Sequence, residues 1–175
     1  MGRPSLSFTV RLSVAEDADA YIELREAVAG EGRGIGAELP LDVERDRRVF
    51  LESIASETQS SWVAVDDAGT VVGNLGIFLL GYGVAEVGMM VDAGWRGRGV
   101  GSALLQCGVD WARDIGAHKV ALQHWPTNEP AAALYEKFGF VEEGRLRRHY
   151  RRRDGELWDA VVRGLVLDVD TPGGP

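Results

Sequence analysis

Apolar and polar residues alternate over residues 6–13, which predicts a first β-strand. The period then changes. Ser13 and Glu16 stand three apart as a capping-box pair, and Tyr21, Leu24, Ala27 and Val28 follow at helical spacing. Residues 30–40 carry four glycines and predict a loop. Helical spacing returns over 41–56, with Val43, Arg47, Phe50, Leu51 and Ile54 on or near one face. Two apolar runs, 61–65 and 71–80, flank Asp66-Asp67-Ala68-Gly69 and predict a hairpin. Gly81-Tyr82-Gly83 turns the chain into another strand over 85–91. A helix starts near Gly99 with Val100, Leu104, Cys107 and Trp111 as its stripe, which makes Cys107 a buried structural thiol rather than a nucleophile. Residues 119–123 form a further buried strand, and a helix begins directly after Asn128 with Pro130 in its first turn. After Phe140 a long hairpin turns at Asp154-Gly155 and returns through Trp158 to Leu167.

The predicted order is β-α-α-β-β-β-α-β-α-β-β, an α/β (α+β) fold with a mixed, mostly antiparallel sheet and helices on both faces. A helix joins the strands at 85–91 and 119–123, so a right-handed crossover makes them parallel neighbours. Ligands of such sheets lie beyond the C-terminal ends of the strands. No linker or repeat divides the chain, so residues 1–167 read as one domain and 168–175 as a flexible tail. The return strand at 157–167 alternates apolar positions with little charge before Arg163, and it reads as a poorly protected sheet edge.

Composition narrows the setting. The chain has 175 residues, 45% of them hydrophobic, enough for one sizeable core. No apolar run approaches a membrane span, the first five residues lack a secretory signal, and one cysteine forms no internal disulfide. Together these fit a cytoplasmic protein without a membrane partner. A net charge of −8 disfavours nucleic acid and suits a cationic substrate. The basic stretch Arg145–Arg153 reads as a solvated hairpin or a dimer contact. No His/Cys cluster has ligand spacing, so no metal is expected.

The chemistry concentrates at Arg96-Gly97-Arg98-Gly99-Val100-Gly101, between a predicted strand and a predicted helix. Such a turn offers bare backbone N–H groups and the positive end of a helix dipole to an anion. It is not a Walker loop, because Gly101-Ser102 follows without a lysine. The dinucleotide fingerprint fails at Leu104, and Lys119 stands where its acid belongs. What remains, R-x-x-G-x-G after a strand, resembles the coenzyme A pyrophosphate loop of the GNAT superfamily of N-acetyltransferases. Downstream, Asn128 through Phe140 resembles the N-x-x-A-x-x-L-Y-x-x-x-G-F segment of the same family, in the same order. The resemblance covers most of the chain. It implies a sheet of about seven strands with about four helices, whose fourth and fifth strands splay to admit the pantetheine arm.

The resemblance further implies acetyl-CoA as cosubstrate. Its pyrophosphate is expected on Arg96, Gly97, Arg98, Gly99, Val100, Gly101 and Ser102. Asn128 is expected to bond the pantetheine arm, besides serving as a helix N-cap. A backbone N–H near Met90 or Val91, at the bulged end of the fourth strand, is the implied oxyanion donor. Tyr135 holds the position the family uses as general acid; a free tyrosine is a weaker acid than a thiol by only about 1.5 units. The base is read from the residues themselves. Glu86 lies on the central strand, where partial burial would raise its pKa into a useful range. Glu31 and Glu38, in the glycine-rich loop, are candidates for holding an ammonium group. His124, at a strand end, is a further candidate base or substrate contact.

The leading expectation is an acetyl-CoA-dependent N-acetyltransferase acting on a small-molecule primary amine by direct attack in a ternary complex. A protein N-terminal, ribosomal-protein-type acetyltransferase is the alternative within the family. A silent CoA-binding regulatory module is the alternative outside enzymology, and Tyr135 speaks against it. The exposed return strand predicts a homodimer, as members of the family often form through their C-terminal regions.

Overall fold

The chain crosses from a fourth strand through one helix to a fifth strand lying parallel beside it, and the rest of the sheet is built outward from that pair. The computed structural model describes residues 7–167, so the expectations for the first residues and for 168–175 lie outside it. The strands are β1 (Phe8–Leu12), β2 (Gln59–Asp66), β3 (Val71–Leu79), β4 (Val84–Val91), β5 (Lys119–His124), β6 (Val141–Arg151) and β7 (Leu157–Val166). Flanking them are α1 (Ala18–Gly30), α2 (Val43–Ile54), α3 (Val100–Asp114) and α4 (Glu129–Lys137). The sheet order is β1-β2-β3-β4-β5-β7-β6. The β1–β2, β2–β3, β5–β7 and β6–β7 pairs are antiparallel. The parallel β4–β5 ladder pairs Val84 with Lys119, Ala85 with Val120 and Glu86 with Ala121.

This order corrects the edge assignment. β7 lies between β5 and β6, bonded on both sides, and β6 is the terminal strand. β7 is buried or half-buried over nearly all its length, whereas β6 is exposed along nearly its whole length and rich in arginine. Charge on the strand that ends the sheet is how an edge is kept from pairing.

The described residues fall into two compact units, one running to Phe78 and including Gly88–Gly108, the other comprising Leu79–Val87 and the chain from Val109. In the first unit, Leu24, Val28, Val63, Val71 and Met90 form a buried cluster. Tyr21 stacks on Phe50 with ring centroids 4.4 Å apart. The first helix starts later than Ser13 and Glu16 suggest. The Ser13 hydroxyl is buried 2.9 Å from that of Ser61, and Asp17 instead accepts the N–H of Val14 at 2.8 Å. Arg11 bonds both Asp17 oxygens at 2.7 Å and, by that bond, holds its carboxyl below the usual range. Only Phe50 of α2 is buried; Val43 and Leu51 remain exposed, so its predicted apolar face is largely uncovered. Cys107 is half-buried, because the inward face of α3 passes through Val100, Leu104, Leu105 and Gly108 instead.

In the second unit, Val120 and Leu122 of β5 and Phe140 are almost fully buried. The predicted basic hairpin is not simply solvated. Arg152 is buried, with its guanidinium 4.3 Å from the Trp158 ring centroid and 5.6 Å from that of Trp125. Arg145 bonds Asp159 at 2.8 Å, and the backbone N–H of Arg148 bonds the same carboxylate at 2.7 Å.

Candidate active site

In the first unit the candidate element is a turn made of backbone. After β4, Asp92 accepts the N–H of Gly94 at 2.9 Å and starts a short 3₁₀ turn, Ala93–Trp95. Gly97 and Gly99 then take φ of 70° and 89°, a region that L side chains rarely adopt. A Cβ at either position would meet nothing within 4 Å, so the space over this backbone is open. The Gly99 carbonyl accepts the N–H of Ala103 at 2.9 Å, making Gly99 the cap of α3. The N–H groups of Val100, Gly101 and Ser102 thus belong to the first turn, which has no partners within its own helix. Gly73 fixes where this turn lies: a Cβ there would come within 2.9 Å of Val100 and 3.0 Å of Leu104. An open, positively polarised turn seated on β3 fits a pyrophosphate group.

Arg96 does less here than its charge suggests. Its Nε donates to the Val91 carbonyl at 3.0 Å, and its two terminal nitrogens grip Glu31 at 2.7 and 2.6 Å. Glu31 is thus engaged by Arg96, and that bond lowers its pKa. The pair ties the turn to the end of α1. Arg98 is exposed, with its guanidinium 5.8 Å from the Trp95 ring centroid. Met90 belongs to the buried cluster, Val91 is half-buried, and Glu38 is half-buried in the loop after α1.

In the second unit the candidate groups are side chains. Asn128 caps α4, its Oδ1 accepting the N–H of Ala131 at 3.3 Å, with Pro130 in the first turn. The cap uses the oxygen and leaves the amide nitrogen for another role. Tyr135 follows on α4 and is only 8% exposed. Its ring lies 5.9 Å from that of His124 and 5.8 Å from that of Phe140. Burial pushes its hydroxyl up to about 12. The gap to a free thiol is then about 3.5 units rather than 1.5. A sulfur leaving group in the same dry surroundings is raised too, since burial disfavours either anion. Tyr135 therefore stays protonated through the neutral range.

Glu86 sits half-buried on β4, and desolvation raises its pKa. Nearby, the Tyr150 hydroxyl donates to Gln123 at 2.7 Å; burial and the Glu86 charge both raise that phenol. His124 is a different case from the expected base. Its Nδ1 lies 2.9 Å from the Trp125 carbonyl, and its Nε2 accepts from Arg163 Nε at 3.0 Å. Both ring nitrogens are engaged within the protein, and burial lowers its pKa.

Sequence reasoning passed over Tyr150, Gln123, Trp125, Trp158 and Arg163. For Arg163 a signal existed: it is a charge set among apolar residues, between Val161-Val162 and Leu165-Val166 of β7. The aromatic trio gave none, because Trp125, Tyr150 and Trp158 come from separate segments that meet only on folding. No group of three or more His, Cys, Asp or Glu that could hold a metal occurs among the described residues. No helix among them is long and apolar enough to cross a membrane.

Comparison with known proteins places the chain in a family. The model of the acetyltransferase (GNAT) family matches residues 36–140, more than half the chain. The L-methionine sulfoximine/L-methionine sulfone acetyltransferase of Pseudomonas paraeruginosa is 25% identical over 168 residues, spanning 93% of this chain and 96% of that protein. The N-alpha-acetyltransferase RimI of Mycobacterium tuberculosis is 38% identical over 108 residues, 58% of this chain and 65% of its own. A solved GCN5-related N-acetyltransferase from Kribbella flavida superposes with a TM-score of 0.80 at 27% identity, covering 91% of this chain and 98% of that one. The chain belongs to the GNAT acetyltransferase family and is an N-acetyltransferase.

Proposed function

We propose that the chain transfers the acetyl group of acetyl-CoA to the primary amine of a small molecule, by direct attack in a ternary complex. The observation that carries this reading is Tyr135: a buried phenol, flanked by two rings and kept protonated. Unit by unit, the roles are as follows. The N–H groups of residues 97–102 bind the pyrophosphate, with Arg98 adding charge, while Arg96 orders the turn through Glu31. The Asn128 amide bonds the pantetheine arm. A backbone N–H at Met90 or Val91 donates to the oxyanion.

Glu86 takes the proton from the attacking ammonium, directly or through one water, and its raised pKa brings it nearer the working range. The amine nitrogen bonds the acetyl carbon and gives up its second proton to solvent, the carbon–sulfur bond breaks, and Tyr135 gives its proton to the departing sulfur. Its phenolate is returned to neutral by solvent protons after release. Residues 1–167 act as one functional domain in this reading. An amino-acid-like acceptor is supported by the Pseudomonas relative's named substrates. A protein N-terminus remains the second reading, favoured by identity to RimI. Glu38 is the remaining loop carboxylate assigned to the acceptor.

A cytoplasmic homodimer completes the proposal. The edge argument for it falls with the interior position of β7, and its support is the family's habit of pairing through C-terminal regions. Light scattering showing only a monomer of about the 19.0 kDa chain mass would remove the dimer. Turnover of acetyl-CoA against a panel of free amino acids, small amines and N-terminal peptides tests the activity itself. Thiol release with small amines supports the reading; release with peptides alone overturns it in favour of the second.

A further inference from the structure

A guanidinium in the middle of an interior strand is an unusual choice, and Arg163 of β7 is one. The residue is 7% exposed and stands in register with Leu122 of β5 and Glu142 of β6. Burying such a charge is unfavourable unless its donors are met, and an apolar residue of similar volume would often serve the core as well. Its donors are met in a particular way. Nε donates to His124 Nε2 at 3.0 Å, one terminal nitrogen to the Phe140 carbonyl at 3.4 Å, and the other to Glu136 at 2.8 Å. Glu136 is 63% exposed, so this ion pair alone is a weak reason to bury the charge.

The three partners share one neighbour. Glu136 follows Tyr135 in α4. His124 and Phe140 supply the two rings beside the phenol, at 5.9 and 5.8 Å. The Phe140 N–H also donates to the Tyr135 carbonyl at 3.0 Å. We propose that Arg163 is a positioning residue for Tyr135, holding the His124 ring, the Phe140 backbone and α4 in one arrangement so that the phenol keeps its orientation. The inference rests on the reading of Tyr135 as the acid.

The arrangement also fixes the state of His124. Arg163 can only donate, so Nε2 must carry a lone pair, and the proton lies on Nδ1 toward the Trp125 carbonyl. The charged groups facing this ring are Arg163, which opposes its protonation, and Glu136 and Glu142, which favour it; burial adds to the opposition. Removing Arg163 frees Nε2 to take a proton.

The test compares Arg163→Met, Arg163→Lys, His124→Gln and Tyr135→Phe. Each is checked for folding by circular dichroism and assayed at pH 8, where the imidazole is neutral. Arg163→Met should lower kcat by about 10- to 100-fold with KM for acetyl-CoA within about twofold, since a misplaced group costs rate rather than cosubstrate binding. Arg163→Lys keeps the charge but not the fork, and its kcat should fall between those of Arg163→Met and the wild type. Imidazole ¹⁵N shifts, assigned with His124→Gln, should show the Nδ1–H form in the wild type and a higher titration midpoint in Arg163→Met. A purely structural role would lower Tm and leave kcat of the folded variant unchanged. A folded Arg163→Met with wild-type kcat, beside an impaired Tyr135→Phe, overturns the positioning role alone. Wild-type kcat in Tyr135→Phe overturns the acid assignment and this inference with it. If Arg163→Met does not fold, Arg163→Lys with full kcat, or a wild-type His124 titrating at about 6.5, still overturns the proposal.

Discussion

The glycine turn before α3 and the phenol on α4 are built by opposite means. The turn is exposed and works through main-chain N–H groups and two glycines at positive φ. Its arginine–glutamate pair, Arg96 with Glu31, is partly solvated and serves to order it. The phenol lies among rings, desolvated, and is set by the side-chain bonds of its neighbours. A polyanion suits the first construction, because backbone dipoles bind charge without first removing it from water. Proton transfer suits the second, because a donor in dry surroundings keeps its proton and its direction. In the proposed reading, binding is distributed over many small contributions and chemistry rests on few.

That contrast predicts its own largest failure. Tyr135→Phe removes one hydroxyl and should reduce kcat by about 10²–10⁴-fold while KM for acetyl-CoA changes little. Steady-state kinetics with a thiol-release assay checks it. If KM moves and kcat does not, the two regions have exchanged roles.

Next in size is Gly101→Glu, in the first turn of α3. A carboxylate there suits the helix dipole and should leave Tm nearly unchanged, while like charge repels a pyrophosphate. Calorimetry should find CoA binding weakened by about tenfold or more, since each 1.4 kcal/mol is a factor of ten. Gly99→Glu is a poorer probe, because its φ of 89° adds backbone strain to the charge effect.

Alkaline stability separates the regions without any assay of activity. The folded Tyr135 hydroxyl is pushed up to about 12, from about 10 in an unfolded chain. Below pH 10 both states hold the proton. Between 10 and 12 only the unfolded chain releases it, so stability falls with rising pH, by about 2–3 kcal/mol at most. Urea titrations from pH 9 to 11 should show this loss in the wild type and less of it in Tyr135→Phe. Glu86 has the same sign at lower pH. Its folded pKa is raised by burial, so stability falls as pH rises from about 4.5 through that raised value. Glu86→Gln should therefore raise Tm slightly at pH 7 while slowing transfer.

The smallest effect belongs to Glu31→Gln. An exposed ion pair is worth at most about 1 kcal/mol, so KM for acetyl-CoA should change by less than about fivefold. Releasing the Arg96 charge should steepen the dependence of KM on salt. A larger change would mean that the ordered turn, rather than its bare backbone, carries the affinity.

Most of the architecture was legible in the chain. Period-2 runs marked the strands, the 3.6-residue period marked the helices, and one helix between two buried strands required a parallel pair. Gly97, Gly99 and Asn128 were legible for the same reason: a turn, a cap and a positive φ are local demands that a few neighbouring residues state in full. Even the rise in Glu86 followed from a carboxylate on a central strand.

What folding decided was partnership. Glu31 and Arg96 are 65 residues apart, and His124 and Arg163 are 39 apart. A charge in a sequence cannot say whether it will meet a ligand, a counter-ion or water. The same holds for the sheet's edge, since alternation on β7 states that one face is apolar, not which strand lies beside it. Local periods and turns are fixed by backbone geometry within a few residues; pairing, desolvation and the proton held by Tyr135 depend on segments brought together only when the core closes.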